Sequence, residues 1–480
     1  MRKSFHIKCG LYCSAAVIIC AAFWFVSSPL LSQTPSAASR TPKYVFLFLA
    51  DGAGIAHMEI ARQYSRQIHN EGFVIVDKII KEGAVGLMTT HAADALSTDS
   101  AAAATALAVG CKANIAALGV CADGTVPASA MELARQRGMK LALVTNAAVY
   151  DASPAAFVCH VPNRRDYAKI VSRYLDLEPD LVLGGGKDQF LPKSQTGSRR
   201  GDEIDMVGAF EKKGYRHVTN KAELDKTARG KVLGLFSLRD MSFEIDRDKN
   251  NEPSVYDMTR ATIRLLNDQN PRGFFAFIES ENIDSAGHLS DVTSVIHDYR
   301  EFDRAVGLAY EFYRKYPRET LIIVTSDHET GGLGFTLALK DPTATPRIQA
   351  VATGEDFKKI QAISISLQKA SQILGQSPTG EAVDKLMNEH FRGFTLAPDV
   401  KEAILKRHPI SRTLFLDPTA TALGAMVANN TQAYWQTSGH TNQPVLVAAL
   451  GVGSERFKGY YDNADFGKKL KAIIEGKNHQ

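Results

Sequence analysis

Tyr44-Val45-Phe46-Leu47-Phe48-Leu49-Ala50-Asp51-Gly52 decides how this chain is read. Residues 44–50 are apolar without a polar alternation, and an acid and a glycine follow at once. A strand with one wet face would alternate apolar and polar side chains, so this run predicts a strand covered on both faces. Similar runs recur at 85–88, 141–146, 181–183, 232–236, 274–278, 321–325 and 445–450. Helical patterns separate them at 58–68, 128–137, 255–266, 295–313 and 464–474. Together they predict an α/β fold: a doubly wound, mostly parallel central sheet with helices on both faces. Segment 337–432 departs from the pattern, with helical candidates at 357–373, 382–390 and 400–407. It reads as a helical insertion or cap within a catalytic domain spanning 43–480.

Open α/β sheets bind ligands beyond the carboxyl ends of their strands. Run 44–49 leads to Asp51, and run 141–146 leads to Asp151-Ala152-Ser153. Run 274–278 ends at Glu279, and run 321–325 at Asp327-His328. One such carboxylate reads as a cap or turn residue; four strands ending this way point to metal ligands. Asp284 and His288 are spaced i,i+4, which on a helix puts both on one face. Ser438-Gly439-His440 precedes the last strand. The candidate ligands are therefore Asp51, Ser153, Glu279, Asp284, His288, Asp327, His328 and His440. Imidazoles favour zinc, whereas hydroxyl and carboxylate oxygens suit magnesium.

Thr98-Asp99-Ser100 opens an alanine-rich stretch, Ala101 to Leu107. By itself this is a helix cap. Beside a metal site it becomes an anion-receiving helix N-terminus with a serine nucleophile, Ser100. In His160-Val161-Pro162-Asn163-Arg164-Arg165 either arginine offers a planar fork for phosphoryl oxygens, and spacing does not choose between them.

The 480 residues are 45% hydrophobic and 22% charged, with a net charge of +4. Arg2, Lys3 and Lys8 supply three of those charges, which leaves no basis for a nucleic-acid partner. The same cations introduce an apolar run at 9–26. Residues 1–32 thus read as an export signal or, uncleaved, a membrane anchor through 9–28, with 33–42 as a polar linker. The expected location is periplasmic or extracellular. Oxidising surroundings would allow Cys111 and Cys121 to form a bridge, leaving Cys159 unpaired and buried.

The motifs resemble those of the alkaline phosphatases. The resemblance rests on Ala50-Asp51-Gly52-Ala53-Gly54, Thr98-Asp99-Ser100-Ala101-Ala102, Asp151-Ala152-Ser153-Pro154-Ala155-Ala156, and Glu279 with Asp284 and His288. Thr325-Ser326-Asp327-His328-Glu329-Thr330-Gly331-Gly332 and Ser438-Gly439-His440-Thr441 complete the set, in the family's order. It implies two zinc ions, one on Asp284, His288 and His440, the other on Asp51, Asp327 and His328. It also implies one magnesium on Asp51, Ser153 and Glu279, with Asp151 reaching it through water. Ser100 is then the phosphorylated nucleophile, and Arg164, steadied by Asp99, binds the phosphoryl group of small phosphomonoesters. The expected activity is phosphomonoester hydrolysis at alkaline pH, and family members are often homodimers. Two positions depart from other members: Ser153 stands where some have threonine, and Ser285 where some have lysine or histidine.

The rivals are a phosphodiesterase, phosphonate hydrolase or sulfatase on the same fold, and an exported binding protein without turnover. A sulfatase would need a C/S-x-P-x-R setting, and Ser100 is followed by alanines. Diesterases generally lack the monoester-binding arginine, and a binding protein would lack the nucleophile.

Overall fold

A computed structural model describes residues 41–267, 270–341, 343, 345–410 and 417–477. Eight strands are numbered in chain order: β1 (Tyr44–Ala50), β2 (Ala84–Thr89), β3 (Lys140–Ala148), β4 (Leu181–Gly185), β5 (Tyr215–Val218), β6 (Lys231–Leu235), β7 (Phe274–Ser280) and β8 (Thr320–Thr325). With Val445–Gly451 and Gly459–Asp462 they form one ten-stranded sheet. Its order is Gly459–Asp462, β2, Val445–Gly451, β8, β1, β7, β3, β4, β6, β5. β1 pairs in parallel with β7 and β8, placing Tyr44 opposite Phe274 and Thr320. Among the described strands of this sheet, Val445–Gly451 alone runs antiparallel to its neighbours, β2 and β8.

The unbroken apolar run of β1 serves two cores, because successive side chains point to opposite faces. Val45, Leu47 and Leu49 pack on one side with Ala101, Ala104, Leu107 and Phe466. Tyr44, Phe46 and Phe48 pack on the other with Met258, Leu265, Phe302 and Phe312. The first layer includes helices Ser100–Val109 and Asn463–Glu475, and the second Val255–Leu266 and Val292–Lys315. A sheet so covered leaves its strand ends as the place where polar side chains can gather.

The two strands of this ten-stranded sheet that were not foreseen, β5 and Gly459–Asp462, are its edges. They are four residues long and partly exposed, so their apolar content is low. Segment 357–373 is not one helix but two, Gly354–Gln361 and Leu367–Leu374. Ser366 starts the second by accepting a hydrogen bond from the Lys369 N–H, an N-cap that resets the chain direction. Segment 337–432 also opens with an antiparallel hairpin, Leu337–Asp341 against Ile348–Val351. Its helices share one apolar cluster with Ile60, Tyr64, Leu289 and Val292. No described helix is long and apolar enough to cross a membrane. The expected export signal or anchor at 1–32, with its apolar run at 9–26, and linker residues 33–40 lie outside the described residues.

Cys111 and Cys121 are bonded, closing a short loop beyond helix Ser100–Val109, and Cys159 is free and buried. Cross-linking a loop of this length limits the unfolded chain and stabilises the fold by roughly 3 kcal/mol. A Cys111→Ser/Cys121→Ser variant should therefore melt several degrees lower by calorimetry; an unchanged melting temperature would show that the bridge contributes nothing.

Candidate active site

Asp51 follows β1 and turns sharply at Gly52, whose φ is +68°. A Cβ at Gly52 would stand 2.4 Å from Asp284 Oδ1, so the missing side chain lets two acidic segments meet. Glu279 ends β7, and Asp284 and His288 lie on the helix that follows, Asn282–His288. Asp327 and His328 follow β8, while His440 lies on a two-residue strand, His440–Thr441, paired with Glu329–Thr330. Ser153 lies in the short helix after β3. All eight candidate ligands come together at this one end of the sheet, and Asp51, Ser153, Glu279, Asp327 and His328 are essentially inaccessible.

The separations suit metal ions. His288 Nε2 is 3.1 Å from Asp284 Oδ2 and 3.1 Å from His440 Nε2, and His440 Nε2 is 3.7 Å from Asp284 Oδ1. His328 Nε2 is 3.4 Å from Asp51 Oδ1 and 3.3 Å from Asp327 Oδ2. Donors around a tetrahedral zinc stand about 3.3 Å apart. Two clusters gather within 4.8 Å: Asp284, His328 and His440, and Asp51, Asp327 and His328. His328 thus lies between the two.

The surroundings orient these donors. His288 Nδ1 faces the Ser438 carbonyl at 2.7 Å and His440 Nδ1 the Thr98 carbonyl at 2.8 Å, which turns each Nε2 toward the cluster. Ser153 donates to Asp51 Oδ2 at 3.1 Å, and Thr145 to Glu279 Oε2 at 2.6 Å. Asp51 Oδ1, Asp327 Oδ2 and Glu279 Oε1 are buried without any hydrogen-bond donor, a costly state unless a cation receives them.

Electrostatics agree. Burial, reinforced by Asp327, Asp284 and Glu279, drives the Asp51 carboxyl well above its usual range. Burial also lifts Glu279, against the Thr145 hydroxyl, and brings Asp327 up to about 7. Burial opposes ionisation of Asp284 as well, but His288 and His440 hold its carboxyl well below the ordinary value. Carboxylates this crowded ionise together only beside added positive charge.

Ser100 is the first residue of its helix and 5% exposed. Its hydroxyl is 3.2 Å from His328 Nε2, the same nitrogen that faces Asp51 and Asp327. Asp99 caps the helix by accepting from the Ala102 N–H and also binds Arg164 at 3.2 Å; Asp151 takes the other arm of that guanidinium at 3.1 Å. Ser100, Arg164, Asp284, His288 and His440 line an open cavity of about 710 Å³. Arg165 reaches the same cavity from an exposed position. Arg164 is thus the arginine held between two acids, a choice that spacing left open.

A family model for alkaline phosphatase matches residues 42–475. The chain belongs to the alkaline phosphatase family. Alkaline phosphatase 4 of Bacillus subtilis (strain 168) is 29% identical, covering 98% of this chain and 98% of its own. The repressible alkaline phosphatase of Saccharomyces cerevisiae is 28% identical over 99% of this chain and 88% of its own. The crystal structure of Thermus thermophilus alkaline phosphatase covers 92% of this chain and 93% of its own, with a TM-score of 0.81 at 25% identity. Family and fold make this protein a phosphatase, and its clustered donors are those of a metal-binding one.

Sequence reading of this alkaline phosphatase family member overlooked several supporting groups. Thr145 and the carbonyls of Thr98 and Ser438 hold ligand side chains, and Thr330 donates its hydroxyl to Asp284 Oδ1. Thr330 and Thr98 stand inside the motifs, but a carbonyl or a hydroxyl has no spacing that announces its partner.

Proposed function

We propose that this protein hydrolyses small phosphate monoesters through a phosphoserine on Ser100. The observation that carries this reading is the Ser100 hydroxyl at a helix N-terminus, 3.2 Å from His328 Nε2, in a cavity that also presents Arg164. The relatives named above, alkaline phosphatases along nearly their whole length, support it.

The Arg164 guanidinium, fixed by Asp99 and Asp151, offers a planar fork to two phosphoryl oxygens and turns phosphorus toward Ser100. The Ser100 oxygen then forms a bond to phosphorus as the bond to the alcohol oxygen breaks, and the alcohol leaves with a proton. Water cleaves the Ser100–phosphate bond, restoring the hydroxyl and releasing inorganic phosphate. The helix N-terminus under Ser100 favours the negative charge throughout.

We assign two zinc sites, Asp284, His288 and His440, and Asp51, Asp327 and His328. A magnesium site comprises Asp51, Ser153 and Glu279, with Asp151 beside it. Divalent ions there would supply Lewis-acid stabilisation of the charge that develops on oxygen. The expected activity lies at alkaline pH. Export to the periplasm or the cell exterior accords with the basic start and apolar run of residues 1–26 and with the Cys111–Cys121 bridge.

A monoester presents one more anionic oxygen than a diester, and Arg164 is the group placed to receive it. Arg164→Ala should lower kcat/KM for an aryl phosphate monoester by about 10²-fold, the scale of losing one charged donor to the transition state. Turnover of the matching diester should fall far less. Equal losses on both would favour the diesterase reading.

A further inference from the structure

Glu329 follows the ligand His328 but is not part of any ligand set, and it is 2% exposed. Its Oε1 accepts the Gly332 N–H at 2.8 Å, and its Oε2 accepts the hydroxyl of Thr441, which follows the ligand His440. His57 Nδ1 approaches to 3.7 Å, but that nitrogen already accepts the Gly54 N–H and has no proton to give. Glu329 therefore spends its bonds on its own turn and on Thr441.

The backbone shows what that bond controls. Residues 329–330 and 440–441 form an antiparallel ladder of two residues, His440 opposite Thr330 and Thr441 opposite Glu329. Gly331 N–H donates to Gly439 O at 2.9 Å just beyond it. A ladder this short is weak on its own, and a one-residue slip would turn His440 to the opposite face. The Glu329–Thr441 bond locks the register from the side chains. Glu329 also packs under the turn that carries Asp51: a Cβ on Gly54 would lie 2.4 Å from Glu329 Cγ. Three separate ligand-bearing stretches thus meet at one carboxylate that is not a ligand.

We propose that Glu329 is a positioning residue: by holding Thr441 it sets where His440 stands relative to His328, and so the affinity of the metal site to which His440 contributes. This rests on the metal assignment made above. Groups that orient ligands typically govern metal affinity by roughly 10–100-fold.

The test is zinc affinity of the full chain, measured by competition with a chromogenic chelator and independent of turnover. Thr441→Val keeps the shape and removes the hydroxyl. It should weaken zinc binding at the site to which His440 contributes roughly 10–100-fold and leave the other site unchanged. Thr441→Ser should restore binding. Glu329→Ala combined with Thr441→Val should be no worse than the more damaging single change, because both remove the same bond. Wild-type affinity in Thr441→Val, failure of Thr441→Ser to rescue, or additive losses in the double variant would each overturn the role of Glu329. Should the wild type itself take up no zinc, the metal assignment falls first, which separates the two failures.

Discussion

Ser100→Ala should abolish phosphomonoester turnover while leaving the protein folded and its metals bound. The Ser100 hydroxyl lines the cavity, stands at a helix N-terminus and lies 3.2 Å from His328 Nε2. Its removal takes away the oxygen proposed to attack phosphorus. Loss of a nucleophile costs at least about 10³-fold in kcat, or about 4 kcal/mol of barrier. The substitution adds no strain, since helix Ser100–Val109 is already alanine-rich and alanine is the best helix former. The check is an aryl phosphate assay with metal content measured on the same sample. Turnover within tenfold of wild type, at full metal occupancy, would exclude Ser100 as the nucleophile and with it the phosphoserine route.

Metal removal should cost both activity and stability, with a pH dependence of definite sign. Asp51, Glu279 and Asp327 are buried together, with three oxygens lacking any donor. Burial raises the Asp327 carboxyl from its ordinary 3.8 to about 7 in the folded chain. Between those values the folded chelated protein holds a proton that the unfolded chain has released. Its stability therefore falls as pH rises from about 4 to 7, and this contribution is fully lost above 7. Metal ions reverse the slope, because ligation requires the deprotonated carboxylate and binding releases protons. The melting temperature of the chelated protein should thus decline over that range, while excess zinc and magnesium should restore it most at pH 8. At a metal concentration 1,000 times the dissociation constant the gain is about 4 kcal/mol per site. Equal melting temperatures with and without chelator at pH 8 would sink the assignment of these carboxylates as ligands.

Much of this architecture could be read before any coordinates. The run at 44–50 lacks alternation because β1 is buried on both faces, and that is the signature the sequence carries. The acids and histidines after β1, β3, β7 and β8 could be identified as ligands because strand ends are where an α/β sheet exposes polar atoms. Edge strands β5 and Gly459–Asp462 could not be seen, since exposure on one side removes the apolar signal. Segment 357–373 looked continuous because apolar periodicity persists across the Ser366 cap.

Residue type and spacing, acting locally, determined the covered parallel sheet, the helix that presents Ser100 and the set of side chains able to hold metal. Which of Arg164 and Arg165 lies between Asp99 and Asp151, how His328 comes to stand between two clusters, and that Glu329 holds Thr441 were decided only when the chain folded. Those contacts join positions up to hundreds of residues apart, and their strength depends on distance and burial, which no local pattern encodes.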